Sequence, residues 1–248
     1  MKRHKALYPS IIDWRNLMRA WRKARKGKRY REAAASFACN LDQEMLSIHR
    51  DLVSGEYQPG GYRSFSVHDP KRRKISAAPF RDRVVHHALC NIIEPIYERK
   101  FIFDSYANRT GKGTHKALDR CTTFMRRYEY VLQCDVQQFF PAIDHEIMKS
   151  ILARTIACQP TMRLCEKIID SGAGILTDQY DMRFFEGDDL FSTTRPRGLP
   201  IGNLTSQFWA NVYLNELDQF VKHRLRVKAY VRYVDDFLLF ANDKVSLH

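Results

Sequence analysis

The stretch Ala229-Tyr-Val-Arg-Tyr-Val-Asp-Asp-Phe-Leu-Leu-Phe-Ala241 sets an apolar, aromatic run on either side of a pair of acids. This is the pattern of strand, tight turn and strand, with Asp235 and Asp236 at the tip. Adjacent carboxylates at the turn of a greasy hairpin repel each other and lose hydration, and a divalent cation is the usual compensation. Taken alone, an Asp-Asp turn whose acids sit in water is the commoner arrangement. The rest of the chain has to decide between the two.

A second strong strand pattern, Tyr130-Val-Leu-Gln-Cys-Asp-Val136, ends near Asp135. An acid at a strand's end can converge with acids on a neighbouring hairpin, although 100 residues separate Asp135 from Asp235. Between them, Asp144 is placed to cap a helix from His145 to Ala157, and a further helix covers Met162 to Asp170. The Gly-, Asp- and Thr-rich segment Ser171 to Arg197 reads as loop, with Asp188 and Asp189 solvated. Arg197-Gly-Leu-Pro-Ile-Gly-Asn-Leu-Thr-Ser-Gln207 is then a turn that opens a long helix to about Arg226, with Phe208, Val212, Leu214, Leu217, Phe220 and Val221 as core. Gly198 and Gly202 permit close backbone approach, and small polar residues at the helix start suit packing against a base pair or sugar.

Upstream, Ile11, Trp14, Leu17, Met18 and Trp21 share one face of a helix predicted over Ile11 to Lys26, which Gly27 ends. A second helical pattern runs from Tyr30 to Val53, and Tyr62 to Val67 alternates like a strand. His68-Asp-Pro-Lys-Arg-Arg-Lys-Ile-Ser76 is a turn with four consecutive bases, followed by Pro79-Phe-Arg-Asp-Arg83 entering a helix. Lys71, Arg72, Arg73, Lys74, Arg81 and Arg83 are placed to hold a triphosphate, with a solvated basic run as the plain alternative. From Phe101 to Thr114 lies an aromatic loop with two glycines and bases that could approach a phosphate but match no standard phosphate loop. Thr114 is the expected N-cap of a helix from His115 to Tyr128.

A chain of 248 residues, 44% hydrophobic, has enough material for a real core. Its formal net charge of +13 points to a polyanionic partner, because only a phosphate-rich surface makes such self-repulsion useful. No signal peptide or long uninterrupted apolar run is visible, so no membrane partner and a cytoplasmic location are expected. The six cysteines form no Cys-x-x-Cys pair and read as reduced core thiols, and His86 with Cys90 reads as helix packing and not as half of a metal site.

Three acids from two separated strands, a basic fingertip and a Gly-containing helix entry fit two-metal nucleotidyl transfer, in which catalysis is largely positioning plus charge stabilisation. On these motifs the chain resembles the reverse transcriptase family over nearly its whole length. Asp135-Val-Gln-Gln-Phe-Phe140 looks like the family's first catalytic motif and Tyr233-Val-Asp-Asp236 like its Tyr-x-Asp-Asp box. The resemblance implies an α+β right-hand polymerase with a 1–54 helical extension, 55–128 fingers and a 129–248 palm, a small antiparallel sheet backed by helices. It implies that Asp135, Asp235, Asp236 and the Val136 backbone hold two Mg²⁺ ions, with Mn²⁺ able to substitute. Arg73, Lys74 and Arg81 would meet the incoming deoxynucleoside triphosphate, Phe140 would gate the ribose 2′-hydroxyl, and Ile201, Gly202 and Gln207 would line the nascent pair.

Within the family, Ile201 and Gln207 stand where most members carry Gln and Pro. This is similar to the enzymes of diversity-generating retroelements, as are Gly111-Lys-Gly-Thr-His-Lys116 and Asp82-Arg-Val-Val-His-His-Ala-Leu-Cys-Asn91. That resemblance implies a bacterial, archaeal or phage-encoded enzyme copying template RNA from a primer into error-prone cDNA for mutagenic homing, helped by a small basic accessory protein. The chain stops at Val245-Ser-Leu-His248, where the family continues into a primer grip and a helical thumb. A missing thumb and weak processivity are therefore expected, unless another chain supplies those parts. The alternatives are a polymerase-deficient fragment that binds nucleic acid or an accessory protein, and a defence-associated reverse transcriptase.

Overall fold

In the computed structural model the described residues are 3–68, 72–184, 187–189, 191 and 194–247, with Arg72 described by its backbone. Lys71 of the basic turn lies outside them. The elements run α1 (Tyr8–Ile12), α2 (Trp14–Arg25), α3 (Glu32–Cys39), α4 (Leu41–Ser54), β1 (Arg63–His68), β2 (Arg72–Ala77) and α5 (Phe80–Glu98). There follow α6 (Thr114–Met125), β3 (Tyr130–Cys134), α7 (Phe139–Ala142), α8 (His145–Ala153), α9 (Gln159–Asp170), α10 (Leu204–Gln219), β4 (Tyr230–Tyr233) and β5 (Asp236–Ala241). The class is α+β, with β1–β2 an antiparallel hairpin and β3-β5-β4 an antiparallel sheet in that order. No helix among the described residues is long and apolar enough to cross a membrane.

The chain divides into two compact units, each assembled from two stretches: 1–95 with 140–207, and 96–139 with 208–248. In the first, Ile11, Leu17, Met45, Ile48, Leu52, Val84, Val85 and Leu89 are fully buried. Each such side chain contributes about 1.5–3 kcal/mol relative to exposure. Polar groups close this core where chains meet. Asn16 is buried and its amide donates to the Ile11 and Ala88 carbonyls, at 2.9 and 3.0 Å. Asp82, also buried, accepts from the Tyr57 hydroxyl and the Gly60 N–H, each at 2.8 Å.

The second unit is the sheet with a helix on each face. Strand alternation sends Ala229, Val231, Leu238 and Phe240 toward α6, where Ala117 and Phe124 complete a cluster. Tyr230, Phe237 and Leu239 point the other way, to Leu217 at the end of α10 and Val221 beyond it. β5 is the middle strand, paired with β3 over 237–241 and with β4 over 236–239. The outer edge of β4 is covered by residues 104–106, with Arg232 N–H donating to the Asp104 carbonyl and Tyr106 N–H to the Arg232 carbonyl.

Several sequence expectations shift by a cap. The first long helix breaks at Asp13, whose carboxylate accepts from the N–H groups of Arg15 and Asn16 and so starts α2. The second breaks at Asn40 into α3 and α4, and Gly55 closes α4 at φ 76°. Thr114 is the first residue of α6 and not its cap, a position held by Gly113 at φ 122°. Phe220 is half exposed and not core, because α10 gives way there to a π-helical turn over Phe220–Arg224. Cys39 is exposed, whereas Cys90, Cys158 and Cys165 are buried thiols.

Gly202 has a specific steric reason. It sits at φ 107°, and a Cβ there would lie 2.7 Å from Ile75 Cγ2 of β2. Gly202→Ala is therefore expected to cost about 2 kcal/mol of stability, read as a lower urea midpoint with an unchanged slope.

Candidate active site

Register brings the three acids together. β3 and β5 pair antiparallel with Cys134 opposite Phe237, so one further step sets Asp135 beside Asp236. β4 and β5 pair with Tyr233 opposite Asp236, leaving Val234 and Asp235 as a two-residue turn. One carboxylate oxygen from each of Asp135, Asp235 and Asp236 lies within 4.8 Å of the others. Among the described residues this is the only such group of three or more His, Cys, Asp or Glu side chains. Asp135 and Asp236 are exposed and Asp235 half-buried, so an ion has access. An all-carboxylate donor set fits a hard divalent cation and disfavours soft metals.

The turn that presents Asp235 is strained. Val234 sits at φ 58°, a region that a β-branched residue rarely enters and that costs about 1–3 kcal/mol unless the surroundings fix it. Arg232 supplies the fixing. Its Nη1 donates to the Val234 carbonyl at 2.8 Å and to Asn211 Oδ1 at 3.1 Å. Its Nε and Nη2 grip the Asp218 carboxylate at 2.7 and 2.6 Å, with both side chains fully buried. The Tyr230 hydroxyl donates to the same carboxylate at 2.9 Å. Burial, and then the charge of Asp218, push the Tyr230 pKa up, which keeps it a donor. Asn211 in turn donates to the Ala107 carbonyl at 2.8 Å, and Tyr233 pairs its hydroxyl with Thr114 Oγ1 at 2.9 Å.

Arg232, Asp218 and Asn211 were not singled out by sequence. The signal was present: period two puts Arg232 on the face of Tyr230 inside an apolar strand, and a buried arginine there demands an acid partner. Removing one partner strands the other charge. Arg232→Met is thus expected to cost about 3–5 kcal/mol in chemical denaturation, and Arg232→Met with Asp218→Leu markedly less than the sum of the single changes.

In the other unit, the Ile201 turn is hydrogen-bonded to β2. Ser76 N–H donates to the Ile201 carbonyl at 2.9 Å. Asn203, buried, donates to the Ser76 and Pro200 carbonyls and accepts from Ala78 N–H at 3.0 Å. Leu199 N–H donates to the carbonyl of Phe140, which is half-buried in α7, at 2.9 Å. Arg73 is exposed on β2, and Gln207 is exposed in the first turn of α10. Lys74 is engaged by Asp178 at 3.0 Å and by the Ile175 carbonyl at 3.1 Å. Arg81 pairs with Asp51 at 2.6 Å, while Arg83 donates to the Ala78 carbonyl at 2.8 Å. Asp188 is held by Arg195 at 3.2 Å and is not simply solvated.

Residues 67–248 match the family described as reverse transcriptase (RNA-dependent DNA polymerase). Protein YkfC of Escherichia coli (strain K12) is 27% identical over 191 residues, covering 74% of this chain and 47% of that protein. The group II intron-encoded protein LtrA of Lactococcus lactis subsp. cremoris is 25% identical over 183 residues, covering 73% of this chain and 28% of LtrA. The chain thus spans less than half the length of either. Among solved structures, a partial Cas6-RT-Cas1–Cas2 complex aligns with TM-score 0.47 at 17% identity, over 96% of this chain and 38% of that one. Apo telomerase from Candida tropicalis aligns with TM-score 0.47 at 13% identity, over 83% and 49%. With well over half of its residues matching that family, the chain belongs to the reverse transcriptases.

Proposed function

We propose that the chain is the fingers and palm of an RNA-directed DNA polymerase that extends a primer on an RNA template from deoxynucleoside triphosphates. The observation that carries this reading is the trio of carboxylates within 4.8 Å at the meeting of β3 and the β4–β5 turn. Asp135, Asp235 and Asp236, with the Val136 carbonyl, would hold two Mg²⁺ ions, which supply activation of the attacking 3′-hydroxyl and charge neutralisation at the leaving pyrophosphate. Arg73 contacts the triphosphate, with Lys74 and Arg81 released toward it from their present ion pairs. Phe140 excludes a 2′-hydroxyl by bulk, and Gly202 and Gln207 lie along the nascent pair. The functional division is an extension over 1–54, fingers over 55–128 and a palm over 129–248, in a cytoplasmic enzyme of a bacterium, archaeon or phage.

The finer reading is an enzyme of the diversity-generating retroelement type, making error-prone cDNA with a small basic accessory protein. Ile201 and Gln207 support it: an aliphatic side chain at 201 in place of an amide removes a polar contact that could check the nascent pair. A second reading, an intron-type retroelement enzyme, is favoured by the likeness to LtrA. The error spectrum separates them, because only the first misincorporates opposite template adenine.

Two outcomes are expected in primer extension on RNA. Asp235→Asn lowers Mg²⁺-dependent incorporation by about 10³-fold, and retention of wild-type activity would sink the polymerase reading. Ile201→Gln reduces misincorporation opposite template adenine; an unchanged spectrum, measured by sequencing the cDNA, sinks the role given to Ile201 in fidelity.

A further inference from the structure

Phe103 is 72% exposed in the unit formed by 96–139 and 208–248, and it lines two clefts at once. One, of about 590 Å³, is walled by Lys100, Lys222, His223, Arg226 and Lys228. The other, of about 460 Å³, carries Lys112, Lys116 and Arg120. No carboxylate lines the first; the second has one, Asp119, against Lys112, Lys116 and an Arg120 already committed to Asp104 at 2.9 Å. Lys112, Lys116, Lys222, Arg226 and Lys228 make no ion pair among the described residues.

The walls are held in place. Lys222 Nζ donates to the Lys228 carbonyl at 2.7 Å and fixes the loop in which Arg226 sits at φ 57°. Gln219 ties this side to the other through the Lys100 carbonyl at 2.9 Å. Lys112 donates to the Phe103 carbonyl at 2.7 Å and lies 3.5 Å from the ring centroid, covering one face and making it a cation–π pair. The exposure of the ring leaves the other face to solvent. Positive walls on both sides of an open aromatic face are what a single-stranded nucleic acid uses, phosphates on the cations and a base on the ring. An acidic peptide would answer the charges but has no use for the exposed ring between them.

We propose that this double cleft binds single-stranded RNA, with backbone phosphates on its lysines and arginine and one base stacked on Phe103. Lys228 is seven residues from Asp235 along β4, a span of at most roughly 25 Å. None of Asp135, Asp235 and Asp236 lines either cleft, so the site is a second contact for the strand and not the acid cluster itself. It rests on the polymerase reading for the identity of its ligand as RNA, and gives the loop from Phe101 to Thr114 a role that the catalytic residues do not.

The test is fluorescence anisotropy of the 248-residue chain with a labelled oligouridylate, metal chelated and nucleotides absent. Phe103→Ala should weaken binding about tenfold, and Phe103→Tyr should restore it. Arg226→Gln with Lys228→Gln should lower the slope of log affinity against log salt by about 1.4. Wild-type affinity and slope in these variants, with unchanged thermal melts, overturn the proposal. So does displacement of the RNA by polyglutamate together with wild-type binding by Phe103→Ala, which makes the site one for an acidic peptide. Primer extension on a pre-annealed template is run in parallel: lost extension with these binding effects intact counts against the polymerase reading and supports the cleft.

Discussion

Arg232 is a cation buried to zero exposure two residues before the strained Val234 of the turn, and the hairpin is organised by how its charge is answered. Taking Arg232 and Asp218 out of water is expensive, and a well-packed apolar pair would serve stability as well. What the ion pair adds is direction. The guanidinium is a rigid fork: two of its donors spent on Asp218 aim a third at the Val234 carbonyl, so the strained turn inherits its orientation from α10. The side chain that fixes the turn thus lies outside the three carboxylates that converge there.

All three acids belong to 96–139 and 208–248, whereas Arg73, Phe140 and Ile201 belong to 1–95 and 140–207. Within the second of these, hydrogen bonds from Ser76, Asn203 and Leu199 gather the base-bearing strand, Phe140 and the Ile201 turn. Residues far apart in sequence are thus set as a group, and β2 is tied to the Ile201 turn both through backbone, by Ser76 N–H to the Ile201 carbonyl, and through the Asn203 side chain.

The Asp235-Asp236 hairpin, the preceding strand and the helix entry at Gly202 were legible because each is written in local pattern: alternation, adjacent acids, and glycines flanking a Pro. The Asp144 cap was legible for the same reason. Breaks at Asp13 and Asn40 were not, since a polar residue inside an apolar-periodic run looks like a solvent face until its cap geometry is seen. Arg232 was hidden by habit of reading: arginines in a chain of net charge +13 are expected at the surface, and only its placement among apolar neighbours marks it as different. The engagement of Lys74 by Asp178 and of Arg81 by Asp51 depends on tertiary proximity that no spacing reveals.

Because Asp135 meets Asp236 through strand register, the acid cluster is insensitive to what most side chains in β3 and β5 are, and acutely sensitive to how many there are. A single inserted or deleted residue in either strand turns every following side chain to the opposite face and parts the carboxylates. Evolution within this sheet is therefore free to exchange letters and barred from changing the word length.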